Sequence, residues 1–328
     1  MNKILIIDPG KGWGHFISKM YCYQELAERL SCKIIFLTKK STQAGHYLSS
    51  SSFCEEVIYL DEPKKGLKNI FENIKSFIRN IKNINELNFE KCFIFHPSVR
   101  YLFIAKFSKA KYIWGLGLKY QFFFLKKDRK LYNSFFSKSI SDDKEALEFV
   151  KKITSIKKIN FRPLLSLKHD SRDTVGIIIA ASGNEKRWAL KNYFKVINFL
   201  IERGYSKFLI ISGIDQSKEE LLIKENFNDK IEMIFTSNKK IADVIPYLRR
   251  CKFCIGNDTG FSHLSVNLDI ETVIIYGDCP PQSYSNLINH IDIDKNVPRT
   301  ATSIHTITED KVLKELSNFL DRRDGRVV

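Results

Sequence analysis

Two kinds of apolar pattern alternate along the chain. Short apolar runs at Lys3 to Asp8, Cys32 to Leu37, Glu56 to Leu60, Lys91 to His96 and Lys111 to Trp114 have the length of buried strands. Between them, Phe16 to Leu30, Phe71 to Ile81 and Val99 to Phe107 place apolar residues at helical spacing. The alternation resumes with strands at Val175 to Ala180, Phe208 to Ser212, Glu232 to Phe235, Phe253 to Gly256 and Thr272 to Tyr276. Helical patterns at Tyr193 to Arg203, Lys218 to Asn226, Ile241 to Arg249 and Phe261 to Leu268 connect them. Such alternation predicts βαβ units and parallel sheets. Arg162-Pro163 and the polar run Lys168 to Asp173 read as a linker, which divides the chain into two α/β domains, residues 1–165 and 166–307. Residues 308–322 predict a last amphipathic helix within a C-terminal segment 308–328.

Composition fits two packed domains. The chain has 328 residues, of which 44% are hydrophobic and 27% charged, enough for two cores. Ile4 to Ile7 is a strand-length run, too short for a secretory signal, and no run is long enough to span a bilayer, so a cytoplasmic protein is expected. Seven cysteines without regular spacing read as reduced core residues, and the Cys251-x-x-Cys254 pair lacks the partners of a zinc site, so no metal is expected. Charge changes this picture more than composition does. Residues 1–165 hold 30 Lys and Arg against 15 Asp and Glu, a net +15, while residues 166–328 hold 23 against 22, a net +1. A lysine-rich genome would bias both halves, so the asymmetry points to an anionic partner on the first domain.

Three strand-to-helix junctions concentrate the candidate chemistry. Asn257-Asp258-Thr259-Gly260-Phe261-Ser262-His263-Leu264 puts turn formers, a carboxylate and an imidazole between a buried strand and a helix. Thr259 or Asp258 can cap that helix, Gly260 lets a ligand approach the backbone, and the helix start offers N–H groups and a positive dipole end to a phosphate. An ordinary capped helix with a core histidine is the alternative. Ala180-Ala181-Ser182-Gly183-Asn184-Glu185-Lys186-Arg187-Trp188 also follows a strand, with Ser182 and Gly183 able to present N–H groups and Lys186 a mobile cation; its alternative is a solvated helix start with a core tryptophan. The first junction, Asp8-Pro9-Gly10-Lys11-Gly12-Trp13-Gly14-His15, has three glycines in eight residues, which predict tight turns. It is not GxGxxG, which argues against a dinucleotide site.

Gly256-Asn257-Asp258-Thr259-Gly260-Phe261-Ser262-His263-Leu264 followed by Thr272-Val273-Ile274-Ile275-Tyr276-Gly277 resembles the signature of glycosyltransferase family 9, the lipopolysaccharide heptosyltransferases and their relatives. The resemblance takes in the N-terminal glycine loop, a Lys186-x-Trp188 element and this signature, in the family's order, and is strongest from Val175 to Pro280. It implies the GT-B fold, with two Rossmann-like doubly wound domains facing a central cleft. Residues 1–165 would bind the acceptor, residues 166–307 the nucleotide sugar, and the C-terminal helix would return toward the first domain. By the same resemblance Lys186 holds the donor diphosphate, with Ser182 and His263 beside it. Asp258 contacts sugar hydroxyls, Thr259 and Gly260 the phosphates, Ile241 a nucleobase pocket, and Asp215 or Glu219 the ribose. Gly277-Asp278-Cys279-Pro280-Pro281 matches a loop that helps close the cleft.

In the family the first loop ends in Gly-Asp, whose aspartate is the proposed base, whereas here it ends in Gly14-His15. A histidine is partly neutral at cell pH and can accept the acceptor proton, with Gly12 and Gly14 shaping the loop and Asp8 as the substitute base; the alternative for His15 is a helix-capping or substrate-orienting residue. The Gly-His loop is also similar to those of a lipid-linked N-acetylglucosaminyltransferase and of a nucleotide-sugar hydrolase. The expected activity is an inverting, metal-independent sugar transfer, from ADP-heptose first among donors, to a lipopolysaccharide-core or other anionic glycan acceptor. A nucleotide-sugar hydrolase, a UDP-N-acetylhexosaminyltransferase, and a non-catalytic basic scaffold for anionic membrane or nucleic acid are the alternatives; nucleic acid is not the expected partner. Tyr120-Gln121-Phe122-Phe123-Phe124-Leu125-Lys126-Lys127-Asp128-Arg129-Lys130 sets aromatics beside a basic cluster, which suits peripheral contact with the inner membrane from the cytoplasmic face, or else a buried element with a solvated end.

Overall fold

A computed structural model describes the chain except residues 1, 11, 50, 63, 65, 97, 118–129, 134–141, 165–171, 228–230 and 326–328. The Tyr120 to Lys130 segment therefore lies outside the described residues, apart from the Lys130 backbone. The chain forms two compact units, Met1–Asn160 and Phe161–Val328. The division falls before Phe161 because Phe161 packs its ring on Tyr284, 5.6 Å between centroids, and Leu164 N donates to Asn267 O.

The first unit runs β1 (Asn2–Ile7), α1 (Trp13–Ile17), α2 (Met20–Arg29), β2 (Cys32–Thr38), α3 (Gly45–Leu48), β3 (Cys54–Tyr59), α4 (Ile70–Asn85), β4 (Lys91–Ile94), α5 (Val99–Phe107), β5 (Tyr112–Gly117), β6 (Lys130–Asn133) and α6 (Asp142–Thr154). Its sheet has the order β3-β2-β1-β4-β5-β6, parallel throughout. The second unit runs β7 (Thr174–Ile178), α7 (Leu190–Glu202), β8 (Lys207–Ile211), α8 (Ser217–Phe227), β9 (Glu232–Phe235), α9 (Ile241–Leu248), β10 (Cys251–Asn257), α10 (Gly260–Asn267), β11 (Thr272–Tyr276), β12 (Ile288–Asp292) and α11 (Glu309–Arg323). Its sheet, β12-β11-β10-β7-β8-β9, is again wholly parallel and repeats the same Rossmann order. Central strands covered on both faces read as the continuous apolar runs seen in the sequence. α11 inserts Val312, Leu316, Phe319 and Leu320 into the core of the second unit.

Two local expectations change. The helical pattern from Phe16 to Leu30 is two helices, α1 and α2, broken at Ser18 and Lys19. The break turns the Lys19 side chain inward, where it is buried against Asp8. In the glycine loop only Gly10 needs the left-handed region, at φ 55°; Gly12 is extended at φ 179° and Gly14 lies in α1.

Asp173 staples the amino ends of the second sheet. Its carboxylate accepts from Lys207 Nζ at 2.8 Å and Thr174 Oγ1 at 2.9 Å, with Arg250 on the other side. The Lys207 hydrogen bond, followed by that from Thr174, lowers its pKa from 3.8 to about 2. A depressed carboxylate stabilises the fold above its unfolded pKa and loses that contribution as the pH falls through the folded value. Asp173→Asn should therefore lower the melting temperature near neutral pH, with the gap to wild type closing between about pH 4 and pH 2; thermal melts across that range measure it.

Candidate active site

In the strand order of the second unit, β7 and β10 are the neighbours from which successive connections diverge, and at such a point the loops leaving the carboxyl ends part and leave a crevice. The loop after β7 carries Lys186, and the loop after β10 carries Asp258. One side chain sets their spacing. Asn257, fully buried, donates from Nδ2 to the Ile179 and Ala180 carbonyls, while its Oδ1 accepts from Trp188 N at 3.1 Å and the Tyr193 hydroxyl at 2.8 Å. The indole of Trp188 goes into the core, stacks edge-on against Tyr193 and donates from Nε1 to Ile307 O at 2.8 Å. Trp188 is thus the anchor of the loop, and Lys186 is the residue left at its surface, with about a third of its side chain exposed.

Asp258 stands between two donors. His263 Nε2 lies 2.9 Å from Asp258 Oδ1, and the Cys279 thiol donates to Oδ2 at 2.8 Å. The other imidazole nitrogen, Nδ1, lies 3.0 Å from the Tyr284 hydroxyl. In the tautomer carrying its proton on Nε2, His263 donates to the carboxylate and accepts from Tyr284, which fixes the ring at both ends. Burial, and then the negative field of Asp258, push the Cys279 thiol well up, so the sulfur stays a protonated donor. Thr259, rather than Asp258, caps α10, its hydroxyl accepting from Phe261 N at 3.2 Å, and this leaves Asp258 free of the capping role. Gly260 is the first residue of that helix and is buried.

Lys186 is ion-paired with Asp278, from the loop after β11. Burial opposes the ammonium charge, but the hydrogen bond and charge of Asp278, with Cys279 and Asp258 nearby, outweigh it and raise the lysine pKa. Three sequence-predicted residues, Lys186, Asp258 and His263, are therefore brought into one charged cluster. Among the described residues, Asp258, Asp278 and Cys279 also offer ligand atoms within 4.8 Å of one another, the one such group of three or more candidate metal ligands. Each already has a partner in the cluster: Asp278 in Lys186, Asp258 and Cys279 in each other.

The other predicted residues lie further out. Ser182 is exposed. Asp215 pairs with Arg187 at 2.5 Å and Glu219 reaches the same guanidinium at 3.8 Å, so both candidate ribose carboxylates are held by the residue after Lys186. Ile241 is buried at the first position of α9, beyond the carboxyl end of edge strand β9. Sequence reasoning passed over Glu220, one residue beyond Glu219. Its buried carboxylate accepts from Thr236 N, Ser237 N and both Ser212 and Ser237 hydroxyls, tying the end of β8 to the turn after β9. Asn257 and Tyr284 were likewise given no role, and Asp278 and Cys279 entered only as part of a cleft-closing loop; the polar residues clustered after β10 and β11 were the available signal.

In the first unit, Asp8 leaves β1 at the corresponding position, beside β4. It is 1% exposed, and its carboxylate accepts from Gly10 N at 2.9 Å and from Lys19 and Tyr23. Thr38 donates to its carbonyl at 2.6 Å. Burial, with Asp8 adding to it, pushes the Tyr23 phenol well up, so it remains a donor. With three donors on its carboxylate, Asp8 shapes the loop and is poorly placed to take a further proton. That differs from its expected role as substitute base. His15 is half-buried in α1, where its carbonyl accepts from Ser18 Oγ. A second imidazole, His96, follows β4 across the same switch point, with Nδ1 accepting from Ser98 N at 3.2 Å; the sequence reading had ended a strand there.

Comparison with known proteins finds matches in sequence and in fold. The model of glycosyltransferase family 9 (heptosyltransferase) matches residues 110–305. Lipopolysaccharide heptosyltransferase 2 of Salmonella typhimurium is 26% identical over 155 residues, 43% of this chain, and the chain spans 44% of the length of that relative. Among solved structures, a family 9 glycosyl transferase from Veillonella parvula superposes with a TM-score of 0.71 at 17% identity, covering 97% of each chain. E. coli heptosyltransferase WaaC with ADP-2-deoxy-2-fluoro heptose gives 0.72 at 14% identity, covering 97% of this chain and 99% of the other.

Asn257→Ala removes four hydrogen bonds and strands buried carbonyl, N–H and hydroxyl partners. It should cost about 3 kcal/mol of stability, read as a lower midpoint in urea unfolding of the full chain.

Proposed function

The chain belongs to glycosyltransferase family 9, and from that membership we propose that it transfers a sugar from a nucleoside diphosphate donor, ADP-heptose first, to a lipopolysaccharide-core or other anionic glycan acceptor. The observation that carries this reading is the charged cluster at the β7–β10 switch point, where Lys186, Asp258 and His263 converge beside the start of α10. A diphosphate placed there would meet the Lys186 ammonium and the positive dipole end of α10 after Thr259. Asp258, oriented by His263 and Cys279, would accept hydrogen bonds from sugar hydroxyls. Ile241 is assigned to the nucleobase side, and Asp215 or Glu219 to the ribose.

The proposed reaction is a single displacement with inversion. The acceptor hydroxyl oxygen attacks the anomeric carbon as the bond to the diphosphate oxygen breaks; the diphosphate leaves with that electron pair, and His15 takes the hydroxyl proton. Negative charge grows on the leaving diphosphate, so fixed positive groups at Lys186 and the α10 start act where they lower the barrier most. Lys186 and the helix start supply this without a metal. The basic first unit would receive the anionic acceptor, with the enzyme on the cytoplasmic side of a membrane. No helix among the described residues is long and apolar enough to cross one.

Calorimetry with ADP, UDP, GDP and CDP, with and without EDTA, tests the donor site. ADP should bind best, and Lys186→Ala should weaken it roughly tenfold or more, as expected for loss of a charge-assisted contact. Loss of binding in EDTA would remove the metal-independent reading, and UDP preference would move the donor to an N-acetylhexosamine. Sugar release without an acceptor would make the protein a hydrolase. Absence of nucleotide binding would leave a non-catalytic scaffold.

Because Asp278 already neutralises Lys186, a diphosphate has to displace it. Asp278→Asn should tighten ADP by roughly two- to fivefold, the range expected for a partly exposed ion pair. The gain should vanish in the Lys186→Ala background, which a titration of the double variant measures.

A further inference from the structure

α4 is turned inside out relative to an ordinary surface helix. Its buried face carries Ser76 and Asn80, whose side chains bond the Asp61 backbone, together with Ile84. Its solvent face carries Ile70, Phe71, Ile74 and Ile78, exposed by 48%, 80%, 51% and 58%. At 3.6 residues per turn, Ile70, Ile74, Ile78 and Phe71 form one stripe, and Lys75, Arg79 and Lys82 form a second stripe directly beside it. Phe107, 54% exposed at the end of α5, extends the apolar stripe through its ring contact with Phe77. Such a continuous apolar face on a soluble unit marks an interaction surface.

The charge beside the stripe decides among its occupants. Residues 64–84 hold six Lys and Arg against one Glu, in a half of the chain whose net charge is +15. Arg79 is held by Asp61 and Glu72 by Lys64, 2.7 Å away, which leaves Lys75 and Lys82 as the cations of this edge without an acidic partner on α4. A second copy of the chain would bring a like-charged face against this one, whereas an anionic lipid surface meets both stripes at once, apolar side chains in the headgroup boundary and ammonium groups on the phosphates. We propose that α4 docks this protein on an anionic membrane surface, with Ile70, Phe71, Ile74 and Ile78 inserted and Lys75 and Lys82 on the lipid phosphates. The docking needs neither sugar donor nor acceptor, and so stands or falls apart from the transferase reading.

Co-sedimentation of the full chain with phosphatidylcholine vesicles, plain or doped with phosphatidylglycerol, tests it. The protein should bind the anionic vesicles, ignore the neutral ones, and come off as salt shortens the Debye length. The variant F71S/I74S/I78S should bind roughly tenfold more weakly or worse. K75Q/K82Q should lose roughly fivefold per residue at low salt. Both sets change exposed side chains, so melting temperatures should stay near wild type and separate lost docking from lost folding. Unchanged anionic-vesicle binding by F71S/I74S/I78S, or absence of binding by wild type, overturns the proposal. A wild-type dimer that becomes a monomer in F71S/I74S/I78S, by light scattering, also overturns it and puts a second copy on this face.

Discussion

The four hydrogen bonds of Asn257 are the constraint on which the second unit's site depends. A parallel sheet delivers loops to its carboxyl edge but does not fix their spacing. Asn257 does so from the end of β10, by holding the carbonyls that leave β7 with one end of its amide and the Trp188 N–H with the other. Lys186 and Asp258 then face the same crevice because each is a residue or two from a clamped atom. A buried amide suits this task, since it offers donors and an acceptor without the desolvation cost of a charge.

The first unit solves the same problem with charge. Asp8, at the end of β1, gathers Gly10, Lys19 and Tyr23 onto one buried carboxylate, and the Lys19 contact is possible only because the helix breaks at Ser18. Removing Lys19 from such a hub would leave the buried Asp8 charge uncompensated. The two loops thus differ in kind: one is fixed by a neutral clamp with ionic groups outside it, the other by an ionic clamp that leaves the imidazole of His15 outside.

Much of this was legible in the sequence. Apolar runs of strand length predicted ten of the parallel strands, because central strands covered on both faces cannot hide their composition. The family signature pointed to Lys186, Asp258 and His263, which the structure clusters. What escaped were features set by tertiary contact. Lys19 looked like any surface lysine on a helix, and nothing local shows that it turns inward. Asp215 and Glu219 were weighed on position alone, while Glu220 lies buried on the inner side of α8, where helical phase rather than motif decides. The β6 and β12 edge strands, Lys130–Asn133 and Ile288–Asp292, are short and mix polar with apolar residues without a strand period, so they do not separate from loop. α4 looked like an ordinary helix because periodicity gives the width of an apolar face, not the direction in which it points.

The chain has three tryptophans, at positions 13, 114 and 188, and their surroundings differ. Trp13 is half-buried beside the glycine loop, Trp114 lies between Phe93 and Tyr112 in stacked rings, and Trp188 is sealed in the core two residues from Lys186. The last of these gives the protein an optical property of its own. An indole excluded from water emits at short wavelength, and its N–H is bonded to Ile307, just ahead of the C-terminal helix. Any event that drags the Lys186 loop, or that loosens the C-terminal helix from its core, alters the same fluorophore. One native chromophore therefore reports on both ends of the second unit without a label.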